Sequence, residues 1–122
     1  MHSVAQTHAF VAQAKAAGMT EAEIEGLVLF IAENPDAGDV IQGTGGCRKI
    51  RVAGRGRGKS GGFRTITFFS GESMPVFLLA AFGKAERSDL TQKERNALRD
   101  ITKFILETYK AKPPRQGEKK GD

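Results

Sequence analysis

Between Gly38 and Arg64 the chain reads GDVIQGTGGCRKIRVAGRGRGKSGGFR. Glycine at this density rules out a helix, because each one adds backbone freedom that folding must remove. The segment also carries seven basic residues, Arg48, Lys49, Arg51, Arg55, Arg57, Lys59 and Arg64, with no acidic side chain after Asp39. The chain must therefore cross it as strand and open loop. Cys47 to Ala53 alternates, with Ile50 and Val52 on one face and Lys49 and Arg51 on the other, which predicts a half-buried strand whose face away from the core is cationic. Gly54 to Gly62 is predicted to be a loop. Like charge this dense repels itself, and a folded chain keeps it mainly where its field draws in a polyanion such as nucleic acid.

The flanking segments supply the apolar surface that this one lacks. Ser3 to Gln6 is compatible with an edge strand, although periodicity does not decide it. HAFVAQAKAAG reads as a short helix with Phe10, Val11 and Ala14 on one face and Gly18 as its stop. Thr20 and Glu23 form a capping box, Met19 and Ile24 a hydrophobic staple, and Ile24, Leu27, Val28 and Ile31 recur at helical spacing. Pro35 ends that helix near Glu33, since it pushes Asn34 out of the helical region. A helical hairpin thus precedes the basic segment. After it, Phe63 to Phe69 and Val76 to Phe82 predict an antiparallel pair joined by SGESMP, which places Arg64 near Phe82 and Lys84. Thr91 and Glu94 then cap a helix whose Leu98, Ile101, Ile105 and Tyr109 form an inward stripe.

Charge and composition narrow the partners. A net charge of +5 favours an acidic partner without separating RNA, DNA, membrane or acidic protein. Cys47 is the only cysteine, so an intrachain disulfide is excluded. The N-terminal residues lack the pattern of a secretory leader, and the apolar runs Leu27 to Ala32 and Val76 to Phe82 are far below the ~20 residues of a membrane span, so a cytoplasmic protein is expected. His2 and His8 make no ligand set with that one cysteine, and no metal and no cofactor are expected. Ala53 to Ser60, AGRGRGKS, imitates a phosphate loop, but its exit through Gly61-Gly62-Phe63 leads to a strand where a helix N-terminus would be needed.

If RNA is cut here, the chemistry proceeds without histidine. A 2′-hydroxyl attacking its adjacent phosphate needs a base, cations for the developing charge, and an acid for the departing 5′-oxygen. Lysines crowded by other cations become proton-transfer groups, whereas a guanidinium suits phosphate clamping. The candidate catalytic set is Arg64 for transition-state charge with Lys59 and Lys84 for proton transfer. Arg57, Arg55, Arg51 and Lys49 are the candidate contacts to substrate backbone, and Phe82 is a platform for stacking a base. The bland alternative is a solvated charged edge that deters aggregation.

The segment from Gly38 to Arg64, together with VFLLAAFGKAERSDLT from Val76 to Thr91, resembles the RelE/ParE superfamily of bacterial toxins and most closely its HigB-like branch, which GKSGGFR and FGKAE match in position. The resemblance implies a RelE-like α+β fold: an N-terminal helical hairpin, a small mainly antiparallel sheet and a C-terminal helix. One toxin domain is expected over residues 1–110; beyond it AKPPRQGEKKGD has no apolar residue large enough to anchor it, so 111–122 is expected to be a disordered basic tail. The resemblance also implies a type II toxin, an mRNA interferase that cleaves mRNA in the ribosomal A site, is metal-independent, uses the same basic set, and is held inactive by a cognate antitoxin. Phe82 and Phe68-Phe69 stand where relatives often have tyrosine; a phenyl ring stacks but cannot exchange a proton. A ParE-like gyrase poison that cuts no RNA and a non-catalytic nucleic-acid-binding module remain the alternatives.

Overall fold

The computed structural model describes residues 1–53, 62–71, 73–83 and 89–111, with 110 and 111 described through their backbone alone. Its elements in chain order are β1 (Val4–Gln6), α1 (His8–Ala17), α2 (Glu21–Glu33), β2 (Asp39–Val40), β3 (Cys47–Val52), β4 (Phe63–Phe68), β5 (Val76–Gly83) and α3 (Gln92–Ala111). The strands form one sheet in the order β1-β5-β4-β3-β2. It is antiparallel except at one edge, where β1 runs parallel to β5. The expected α+β architecture is therefore the observed one: helical hairpin, small mainly antiparallel sheet, C-terminal helix.

Local chemistry sets the helix boundaries. Thr7 caps α1 by accepting from the Phe10 N–H, and Gly18, at φ 91°, returns its N–H to Ala14 and Lys15. The Thr20–Glu23 box at α2 is reciprocal, at 2.8 and 3.1 Å, and the Thr91–Glu94 box at α3 repeats those distances. Each satisfies two backbone donors that a helix start leaves over.

Both faces of the sheet are covered. Phe10 and Ala14 of α1, with Leu27 and Ile31 of α2, pack on Ile50, Val76, Leu78 and Ala81. On the other face Leu90, Leu98 and Ile105 pack on Cys47, Ile66, Phe68, Leu79 and Phe82. Three expectations are corrected here. Val11 is 39% exposed, because one residue after Phe10 a helix has turned by about 100°. Ile101 is 42% exposed, and Thr102 takes its place in the buried stripe, with its hydroxyl donating to the Thr44 carbonyl at 3.1 Å. The cationic face of β3 is not the face away from the core: it begins at buried Cys47 under α3 and turns cationic only toward Arg51.

An irregularity in β5 decides which residues share a face. Thr67 pairs with Leu78 but Ile66 pairs with Ala80, so Leu79 is an extra residue. Val76 and Leu78 face the α1–α2 layer, and strict alternation would send residue 82 there as well. The bulge reverses the phase: Leu79 and Ala80 both pack toward α3, Ala81 faces α1–α2, and Phe82 falls on the α3 side. The tail read above over residues 111–122 loses its first residue, because α3 runs through Ala111; residues 112–122 lie outside the described residues.

Candidate nucleic-acid interface

The register at one end of the sheet assembles the candidate site. Arg51 on β3 pairs with Arg64 on β4, and Arg64 pairs with Phe82 on β5. Residues directly opposite in an antiparallel ladder project to the same face, so the three form one row across the sheet on the α3 side. The next rung, Val52–Phe63–Gly83, is the last before residues 54–61 and 84–88, which lie outside the described residues. Arg55, Arg57, Lys59 and Lys84 fall in those two stretches. Of the eight residues expected to act, the described structure therefore brings together Arg51, Arg64 and Phe82, with Lys49 one alternation further along β3.

Arg64 is the unusual member. It is only 5% exposed, and its Nη1 is buried with no hydrogen-bond partner among the described residues. A guanidinium has five donors and cannot shed its charge. Burying a charged donor unpaired is among the more destabilising single features a fold can carry. The register compounds it, because Arg51, which is exposed, stands directly across. Like charges directly opposite on a sheet repel. One other buried side-chain atom is also orphaned, the hydroxyl of Thr67, but it is neutral and faces the α1–α2 layer. An anion placed between Arg51 and Arg64 would relieve both the missing partner and the repulsion, and Phe82 supplies an aromatic wall on the same face.

Lys49 is arranged differently. Its ammonium lies 3.7 Å from Asp89, whose other oxygen is 3.2 Å from Arg95 of α3. Arg95 also donates to the Gln42 carbonyl at 3.4 Å. The Leu90 N–H, donating to Asp89 at 2.8 Å, holds that carboxyl below its ordinary range, and Lys49 and Arg95 pull in the same direction. Lys49 thus anchors the start of α3 to β3 as well as lying on the candidate face. Asp89 was missed in the sequence; the available signal was an acid two residues before a capping box with Arg95 six residues on. Arg48 projects to the opposite face, where it donates to the Gly38 carbonyl at 3.2 Å.

Cys47 is fully buried, and burial pushes its thiol up to about 11 against the opposing hydrogen bond from Thr44. It is a packing residue. Among the described residues no group of three histidine, cysteine or acidic side chains is placed to hold a metal, and no helix is long and apolar enough to cross a membrane.

Two comparisons bear on this arrangement. A family model described as "RelE toxin of RelE / RelB toxin-antitoxin system" matches residues 3–119. Among solved structures the chain is similar to E. coli toxin RelE, in the free state of a variant with two arginines replaced by alanine. The identity is 19% and the TM-score 0.55, over 83% of this chain and 96% of that one. At that identity the likeness speaks to the fold.

Proposed function

The chain belongs to the RelE toxin family, and within it we propose that this protein is the toxin of a type II toxin-antitoxin system, an endoribonuclease that cuts mRNA in the ribosomal A site and halts translation. The observation that carries the reading is the buried Arg64 with its orphaned Nη1, set across from Arg51 and beside Phe82. A buried guanidinium whose Nη1 has no partner among the described residues favours an anion that arrives later, and a phosphodiester matches its planar fork.

In the proposed reaction the 2′-oxygen attacks the adjacent phosphorus as its proton is taken, a bond from phosphorus to the 5′-oxygen breaks, and that oxygen leaves with a proton, giving a 2′,3′-cyclic phosphate. Arg64 stabilises charge on the non-bridging oxygens. Lys59 and Lys84 exchange the two protons. Arg51, Arg55, Arg57 and Lys49 hold the flanking backbone, and Phe82 stacks a base. The chemistry draws on side chains alone and is proposed to be metal-independent. Lysines are modest proton-transfer groups, and the ribosome compensates by holding the substrate in line, which contributes roughly 7–11 kcal/mol to lowering a barrier.

The motifs GKSGGFR and FGKAE favour the HigB-like branch, with one toxin domain over residues 1–110 and a cognate antitoxin as its partner. The test is primer-extension mapping of an mRNA in a reconstituted translation reaction with ribosomes, without ribosomes, and with Arg64→Met. Cuts that require ribosomes and vanish in the variant are expected. Intact mRNA in all three reactions would sink the nuclease assignment and turn attention to gyrase.

A further inference from the structure

Lys49 and Arg51 lie two residues apart on β3 and project to the same face, the one under α3 that also carries Arg64. At the rise of a strand they are roughly 6.6 Å apart, close to the spacing of successive phosphates in an extended single strand. For a strand laid along β3 with one phosphate between Arg51 and Arg64, the next phosphate on one side therefore falls at Lys49. A carboxylate already stands there: an Asp89 oxygen lies 3.7 Å from the Lys49 ammonium. Asp39, exposed and directly opposite Lys49 on β2, puts a second negative charge on the same face.

Asp89 does not depend on Lys49 for its place. The Leu90 N–H donates to the same oxygen at 2.8 Å, and Arg95 lies 3.2 Å from the other oxygen. Arg95 is itself tied to the Gln42 carbonyl, so it joins the start of α3 to the β2–β3 connection whether or not Lys49 takes part. The Thr91–Glu94 box fixes the backbone just beyond. Nor does the Lys49 contact explain stability, because both side chains are open to solvent, at 29% and 52% exposed, and ion pairs so placed contribute little. The fold thus holds a carboxylate where the proposed substrate would carry a phosphate, and the two repel.

We propose that Asp89 is a specificity-determining residue: its carboxylate takes the place of the neighbouring phosphate at Lys49 and so weakens the binding of free single-stranded RNA. The inference rests on the reading of Arg51 and Arg64 as a phosphodiester site and deepens it. A free strand must displace Asp89 from Lys49 and settle beside a charge of its own sign, with only its own contacts to offset that. A strand held in line by the ribosome arrives already positioned, and the same repulsion is offset from outside the site. Asp89 thereby keeps the row from filling with RNA that no ribosome presents.

The test is fluorescence anisotropy of a labelled 2′-O-methyl RNA dodecamer, which carries the phosphates but has no 2′-hydroxyl to attack, titrated with the full-length chain over a series of chloride concentrations. Asp89→Asn keeps the shape of the side chain and removes its charge. It should bind roughly threefold or more tightly than wild type, with log K falling more steeply against log salt by about 0.7, the share of one further phosphate on a single strand. Adding Lys49→Gln to that variant should cancel both changes. Glu25→Gln, exposed on α2 across the sheet, removes one negative charge elsewhere and should leave binding within about twofold of wild type. Thermal melts establish that each variant folds. Equal or weaker binding by Asp89→Asn would overturn the proposal, and so would a gain as large in Glu25→Gln, since net charge alone would then account for it. If Arg64→Met binds the RNA as tightly as wild type, the phosphodiester reading fails and this inference with it. Weaker binding by Arg64→Met beside unchanged binding by Asp89→Asn sinks the inference alone.

Discussion

Replacing Arg64 by methionine should make this protein more stable while destroying its proposed activity. Among the described residues Nη1 has no hydrogen-bond partner, a penalty of about 1–3 kcal/mol for a buried unsatisfied donor. Having Arg51 directly opposite adds a repulsion of roughly 0.2–1 kcal/mol. Methionine keeps the unbranched stem beside Phe82 and removes both terms, so a net gain of about 1–3 kcal/mol is expected. For a domain of this size that is a rise in Tm of roughly 4–12 °C. The assay is guanidinium denaturation with thermal melts in low-salt chloride buffer, repeated with inorganic phosphate. Wild type should gain stability from phosphate and the variant should not, because the proposed anion site is lost with the guanidinium. A variant less stable than wild type by 1 kcal/mol or more would refute the reasoning. It would mean that the guanidinium is satisfied in the native state and is structural, and the argument for an awaited anion would fall with it.

Three further outcomes follow from other parts of the fold. Gly45→Ala, at φ 79°, drives a Cβ into the Thr102 hydroxyl, whereas Gly43→Ala, at φ 81°, meets nothing within 4 Å. The first should lose roughly 2–4 kcal/mol and the second about 1, and equal losses in urea titrations would show that crowding against α3 is not the cause. Asp89→Asn should be slightly less stable than wild type at neutral pH. The folded carboxyl lies below its ordinary value of 3.8, so the contribution is present above that value, shrinks as pH falls through the folded value, and is absent below it. A stability difference that persists at pH 2 would contradict this. Cys47, raised to about 11 from 9.0, favours the neutral thiol in the fold, so its contribution declines as pH rises from 9 through 11. At pH 8 the native thiol should resist labelling until the chain opens, and stoichiometric reaction on mixing would show that the site is accessible.

The helices were legible because their signals are local. Thr20 with Glu23, Thr91 with Glu94, and Gly18 each settle a boundary through contacts within three or four residues, which a sequence displays directly. The pairing of Arg64 with Phe82 was legible too, since a short hairpin connection fixes which ends meet. What could not be read depends on contacts far apart in the chain. Ile101 and Thr102 differ by one position on α3, and the choice between them is made by the Thr44 carbonyl, 58 residues away. The bulge at Leu79 leaves no mark in VFLLAAF, yet it carries Phe82 across to the face of Arg64. Burial of Arg64 was the largest omission. Its charge suggested a phosphate clamp, and only the covering of the α3 face reveals a cation held out of water.

The parallel pairing of β1 with β5 also sets a clock. Val4 meets Val76, and the Val76 N–H is held by the Ser3 carbonyl at 2.9 Å, so β1 must wait for β5 to be made. At ~5–20 residues per second, the 72 residues separating Val4 from Val76 take about 4–14 s to make. Through that interval the N-terminal segment has no edge to join, and the row of Arg51, Arg64 and Phe82 does not exist until the same strand arrives to complete it. The row on which the proposed chemistry depends is therefore completed only when β5 has been made and has found its partners.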